Sequence, residues 1–194
     1  MSQAPKLVAF SGSTRSGSYN QAILDVASDA AEQAGAEVDR INLADFPMPL
    51  FDQDLESHEG LPETVRGLKA RFAAADGFLL ASPEYNSAFS PLMKNVIDWC
   101  SRAETEDEPP LSVYQGKSAL LLAASPGGLG GIRGLYALRS VFQNISVTVF
   151  PSMLAVGSAY ELVDEAGALT DEKWKGRLES VARDYVDFAG RLKG

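Results

Sequence analysis

Short, nearly continuous apolar runs alternate with helical periodicity along this chain, and no other feature of the sequence narrows its fold as far. "GFLLAS" at 77–82 and "SALLLAA" at 118–124 show no polar alternation, as expected of a parallel strand covered on both faces. With Lys6–Ser11, 38–43 and, less cleanly, 148–156, they give five predicted strands, the fourth running from 117 to 124. Between them, apolar stripes at three- and four-residue spacing predict helices. Ile23, Val26, Ala27, Ala30 and Ala34 form the first stripe, stopped at Gly35. Leu61, Val65, Leu68 and Phe72 form the second, with Pro62 in its first turn. Met93, Val96, Ile97 and Cys100 follow Pro91, and Leu135, Leu138, Phe142 and Ile145 make the fourth. Trp174, Leu178, Val181, Tyr185, Phe188 and Leu192 make the last, with Thr170 expected as N-cap and Asp171 and Glu172 in the first turn.

Five strands alternating with five helices predict an α/β fold, a doubly wound five-stranded parallel sheet with helices on both faces. The commonest strand order in such a sheet is 2-1-3-4-5. Residues 1–194 read as one domain: no repeat or linker divides them, and a 45% hydrophobic content suffices for a core.

The charge balance excludes several partners. A net charge of −9 with no basic stripe speaks against nucleic acid and against anionic membrane surfaces. Any bound anion must then meet a local positive potential, from helix N-termini and particular arginines. No apolar run approaches the ~20 residues of a membrane span. With one cysteine, Cys100, and one histidine, His58, neither an internal disulfide nor a His/Cys metal cluster is expected. These features, with no signal peptide visible at the N-terminus, predict a cytoplasmic protein without a metal site. The acidic stretch "ETEDEPP" at 104–110 reads as a solvated loop.

Three segments are too rich in small and polar residues for ordinary connections, and each follows a predicted strand. They are "SGSTRSGSYN" (11–20), "SPEYNSAFSP" (82–91) and "SPGGLGGIRG" (125–134). In the order 2-1-3-4-5 the strands before them are adjacent, so the three loops should line one crevice at the switch point, where ligands bind in such sheets. The first loop leads into a helix N-terminus, a ready anion site. Ser13, Thr14 and Ser18 add hydroxyls, Arg15 a charged fork and Asn20 an amide, so a phosphate is the expected occupant. Two lookalikes fail. "GKS" at 116–118 has Leu111 where a phosphate loop needs glycine, and it precedes a strand. "GGLGGIRG" lacks the G-x-G-x-x-G spacing of a dinucleotide fingerprint.

"GSTRSGSYN", "SPEYNSAFSPLMKNVIDWCSR" and the glycine loop followed by "LR" resemble the NADPH-dependent FMN reductase family of the flavodoxin-like fold, which includes quinone, azo-dye and chromate reductases. The resemblance runs roughly from residue 6 to 153. It implies that Ser13, Arg15, Ser18 and Asn20 cradle the FMN phosphate. Pro83, Glu84, Tyr85 and Asn86 would hold the isoalloxazine edge, largely by backbone groups, while Ser125, Gly127 and Gly128 approach the polar rim of the ring. It further implies an enzyme that passes hydride from NADPH or NADH to flavin N5 and then to a small acceptor such as a flavin or quinone. No side chain is required as acid or base, so no catalytic residue is expected. Arg133 and Arg139 are the candidates to meet a 2′-phosphate. Family members commonly form homodimers or homotetramers, and Phe89, Leu92 and Trp99 are the apolar residues offered for such an interface; Trp99 and Cys100 equally read as core. Two other readings remain at this stage: a flavodoxin-type FMN carrier that does not oxidise NAD(P)H, and a binding module for a different phosphorylated ligand.

Overall fold

The computed structural model, which describes residues 4–193, builds one parallel sheet from β1 (Lys6–Ser11), β2 (Glu37–Ile41), β3 (Gly77–Ala81), β6 (Ser118–Ala124) and a divided edge formed by β7 (Thr148–Val149) and β8 (Leu154–Val156). The order is β2-β1-β3-β6-β7, with β8 also on β6. Counting the divided edge as one strand, this is the doubly wound order expected. The central strands β3 and β6 are buried along their whole length, which is why their sequences lack alternation.

Helices α1 (Tyr19–Gln33) and α6 (Glu172–Lys193) cover one face. Helices α3 (Glu63–Ala74), α4 (Pro91–Cys100) and α5 (Ile132–Asn144) cover the other, with the short α2 (Gln53–Glu59) outside them. A cluster of Phe10, Phe72, Phe78, Tyr114 and Phe142 fills the second face, with ring centroids 5.2–6.3 Å apart. On the first face the Tyr185 hydroxyl accepts the Phe78 N–H at 3.1 Å and lies 3.1 Å from Ser118 Oγ, tying α6 to the middle of the sheet.

The predicted fifth strand is not continuous. Ser118 pairs with Thr148, but Leu122 pairs with Leu154, so the edge gains two residues between its halves around Pro151. Proline cannot donate to the ladder, and the interruption falls on an edge, where it is tolerated. Asp171, not Thr170, caps α6: the Trp174 N–H donates to Asp171 Oδ1 at 2.8 Å. Lys117 of the "GKS" lookalike donates to the carbonyls of Ala73 and Ala75 at the end of α3, a helix-capping role, and burial lowers its pKa.

Six of the seven residues of the acidic loop are exposed, as the solvated reading expects, but Glu108 anchors it. Buried Lys69 of α3 donates to both Glu108 oxygens, at 2.8 and 2.9 Å, and the Ser112 hydroxyl donates to the same carboxylate. Burial alone would raise the Glu108 pKa. The Glu104 N–H, Lys69 and Ser112 outweigh it and hold the carboxyl at about 2, against an ordinary 4.5. A carboxyl depressed on folding contributes stability that is complete above about pH 4.5 and is lost as pH falls toward about 2. Thermal melts of wild type and Glu108→Gln should therefore differ most at neutral pH, and the gap should narrow below pH 4.5. A gap that is constant down to about pH 3 would show that the ionised carboxylate is not what anchors the loop.

Candidate cofactor site

Helix α1 begins without a side-chain cap. Ser18 has the extended backbone of an N-cap, yet its hydroxyl accepts no backbone N–H, and the first helical bond is Ala22 N–H to Ser18 O. The first-turn N–H groups and the helix dipole are thus left facing the loop of residues 12–18. That loop is held from below. The Gly12 N–H donates to Ala81 O at 2.8 Å, and Ser90 Oγ donates to Gly12 O at 2.6 Å while accepting the Met93 N–H as the cap of α4. Ser90 therefore joins the first and second loops, a role its Ser-Pro signature advertises only as a helix start.

The second loop is a hairpin of β4 (Glu84–Tyr85) and β5 (Ala88–Phe89), turned through Asn86 and Ser87 at φ 52° and 67°. Two left-handed residues define the turn type that suits a two-residue hairpin, and asparagine tolerates the first of them. Glu84 does not reach into solvent. Its side chain is 7% exposed, takes a bond from Arg133 Nε at 2.8 Å and accepts the Gly134 N–H at 3.1 Å. Burial would raise its pKa, but Arg133 and the α5 N–H groups prevail and hold it below the usual carboxylate range. This carboxylate fastens the hairpin to the start of α5, and Arg133, a candidate for a 2′-phosphate, is already engaged there.

Ser13, Arg15, Ser18, Asn20, Pro83, Glu84, Tyr85 and Ser125 converge on one cleft of about 340 Å³ between the three loops. Tyr19, Ala124 and Pro126 complete its lining and were not singled out from the sequence, although Tyr19 and Pro126 stand inside the quoted motifs. Thr14, Asn86, Gly127 and Gly128 lie outside that lining; Thr14 faces a separate groove on the other side of its loop. Arg15 is folded onto its own loop, donating to Ser16 O at 2.9 Å and Gly17 O at 2.7 Å, with its guanidinium 5.3 Å from the Tyr19 ring centre. Asn20 is a strut: its amide donates to Ala124 O at 3.0 Å and accepts the Ala124 N–H at 2.9 Å, which leaves one amide hydrogen for a ligand. Ser125 Oγ bonds Gly127 O at 3.2 Å. Trp99 is fully buried, donating to Pro49 O at 2.8 Å, so it is core and not an interface residue; buried Cys100 is core likewise. Among the described residues no group of His, Cys, Asp and Glu could hold a metal ion.

These features suit a flavin mononucleotide. The uncapped helix start, with Ser13, Ser18 and Arg15 beside it, offers the donors that an anion needs. At Gly127 and Gly128 an added Cβ would meet nothing closer than 3.8 Å, so no contact within the protein demands glycine there. A doubly wound sheet with an uncapped helix start after β1 and two further loops at its switch point defines a flavodoxin-like class of protein. Within that class, residues 5–161 match the model of the NADPH-dependent FMN reductase family, and the chain belongs to that family. By that membership it is an oxidoreductase that works with FMN and NAD(P)H.

An NAD(P)H-dependent FMN reductase of Pseudomonas aeruginosa is 34% identical, and the match covers 100% of both chains. A quinone reductase of Escherichia coli is 32% identical, also over 100% of each. Among solved structures, a flavoenzyme NAD(P)H:(acceptor) oxidoreductase from Paracoccus denitrificans superposes with a TM-score of 0.79 at 26% identity, covering 96% of this chain and 98% of that one.

Proposed function

We propose that the 340 Å³ cleft is the FMN site and that the acceptor served there is a quinone or flavin. The convergence of three sequence-distant loops on one cleft carries this reading. Bound FMN supplies the chemistry, taking a hydride equivalent at N5 and returning electrons to an acceptor. The chain's own residues bind and orient. Ser13, Ser18 and the first-turn N–H groups of α1 hold the phosphate, and Arg15, kept beside them by its bonds to Ser16 O and Gly17 O, adds its remaining donors. The Pro83–Asn86 hairpin, fixed by Glu84 to α5, supports one edge of the ring, and Ser125 with Gly127–Gly128 supports the other. No side chain need move a proton.

Donor and acceptor would use the same open face in turn, which predicts parallel double-reciprocal lines in steady-state kinetics. Intersecting lines, with both substrates bound together, would count against a shared face. The purified protein should also show a flavin spectrum that bleaches on adding NADPH or NADH.

We further propose a cytoplasmic homo-oligomer, dimer or tetramer, built near the start of α4. Half-buried Phe89 and Leu92 support the assembly, and a single, buried cysteine suits a reducing compartment. Sedimentation of the FMN-loaded protein should give a species heavier than 20.7 kDa; that mass alone would dismiss the proposal.

A further inference from the structure

A second groove, of about 520 Å³, opens on the other side of the phosphate loop, between α1 and the carboxyl end of β2. Its size suits a nucleoside-sized ligand. Its wall is a polar stripe on α1, Gln21, Asp25 and Ser28, at a spacing that puts all three on one helix face. Its floor is apolar, from Ala9, Leu24 and Ile41. The turn at 164–168 contributes Ala166 and Gly167 to the far side.

Ser28 is 1% exposed, and its hydroxyl is the one buried side-chain oxygen or nitrogen without a hydrogen-bond partner among the described residues. A buried, unsatisfied hydroxyl is costly unless something supplies the missing bond. Gln21 Nε2 donates to Asp25 Oδ1 at 2.8 Å, orienting that carboxylate, and Asp25 has no cationic partner among the described residues. A carboxylate, an amide and a hydroxyl above an apolar floor match a ribose with a purine against it. Arg40 also lines the groove, where it already holds Asp29 and Glu32.

We infer that this groove takes the adenosine half of the pyridine dinucleotide donor. The inference rests on the proposed function. A dinucleotide whose nicotinamide lies over the flavin must place its adenosine outside the flavin cleft. Ser13, Arg15 and Ser18 line both cavities, so the groove is the adjoining space. The chain has no dinucleotide fingerprint to seat the adenosine elsewhere.

The test compares NADH with reduced nicotinamide mononucleotide, which lacks the adenosine, and measures ADP-ribose binding to the FMN-loaded protein by calorimetry. Wild type should bind ADP-ribose and prefer NADH. Asp25→Ala, at a half-buried position where alanine favours the helix, should weaken ADP-ribose and lower kcat/KM for NADH by about tenfold or more, while use of the mononucleotide is unchanged. Gln21→Trp, which fills the groove, should do the same. Equal losses for both donors, or unchanged ADP-ribose affinity in both variants, would overturn the assignment. NADH oxidation by a wild type that ignores ADP-ribose would overturn it while leaving the enzyme reading intact. ADP-ribose binding without NADH oxidation would overturn both, since the groove would then serve no donor.

Discussion

Arg15→Ala is expected to weaken FMN binding by roughly 10- to 150-fold while leaving riboflavin binding nearly unchanged. A hydrogen bond to a charged group contributes about 1.5–3 kcal/mol, and that range converts to the stated factor. In the free protein two donors of the guanidinium are engaged with Ser16 O and Gly17 O, so the side chain is held beside the cradle and not spread through solvent. Three of its five N–H groups remain for a phosphate. The same contacts raise an alternative, that arginine merely shapes the loop. Riboflavin separates the two, because it keeps the ring and lacks the phosphate. Dissociation constants for both flavins, read by fluorescence quenching in wild type and variant, decide the matter. Equal losses for FMN and riboflavin would assign Arg15 to loop shape, and no loss for either would remove it from the site. Thermal stability without flavin should change little, since Arg15 is exposed.

The sheet was legible because its central strands are covered on both faces, a condition that writes itself into the sequence as uninterrupted apolar runs. The edge was less so. Pro151 signals an interruption, but the two-residue offset between β7 and β8 depends on pairing with β6 and has no local mark. Helix α2 was missed since none of its residues is buried and no stripe exists to find, although Asp52, which caps it, is a plain start signal. Thr170 and Asp171 are both good caps, and one residue of register chose between them.

The site was legible as loops and less so as side chains. Strand order alone brings segments 11–20, 82–91 and 125–134 together. The partners of Asn20 and Glu84 lie 104 and 49 residues away, a pairing that no local pattern encodes. Trp99 was offered to an interface because it falls off the apolar stripe of α4. The segment before α2 covers that flank instead: Pro49 O takes the Trp99 N–H, and Phe51 stands edge-on at 5.0 Å.

The glycine loop provides the sharpest contrast between what the fold requires and what a ligand requires. Gly130 sits at φ +64°, and a Cβ there would stand 2.6 Å from the Ala155 carbonyl carbon and 2.7 Å from the Val156 nitrogen. Those atoms are backbone of β8 and cannot swing aside as a side chain could. Gly130→Ala therefore combines a left-handed conformation, about 1–2 kcal/mol, with overpacking of about 1–3 kcal/mol. A loss of roughly 2–5 kcal/mol is expected on those terms, read as a lower denaturant midpoint in the flavin-free protein. Gly128 has an ordinary φ and nothing within 4 Å of an added Cβ. Gly128→Ala should leave stability within about 0.5 kcal/mol of wild type or slightly raise it, by lowering the entropy of the unfolded chain. If the flavin rim fills that open space, the same methyl must weaken FMN and riboflavin alike, unlike the phosphate-specific loss at Arg15. Unchanged affinity for both flavins in Gly128→Ala would mean that the ring does not reach Gly128. Unchanged stability in Gly130→Ala would mean that β8 yields more readily than its pairing with β6 implies.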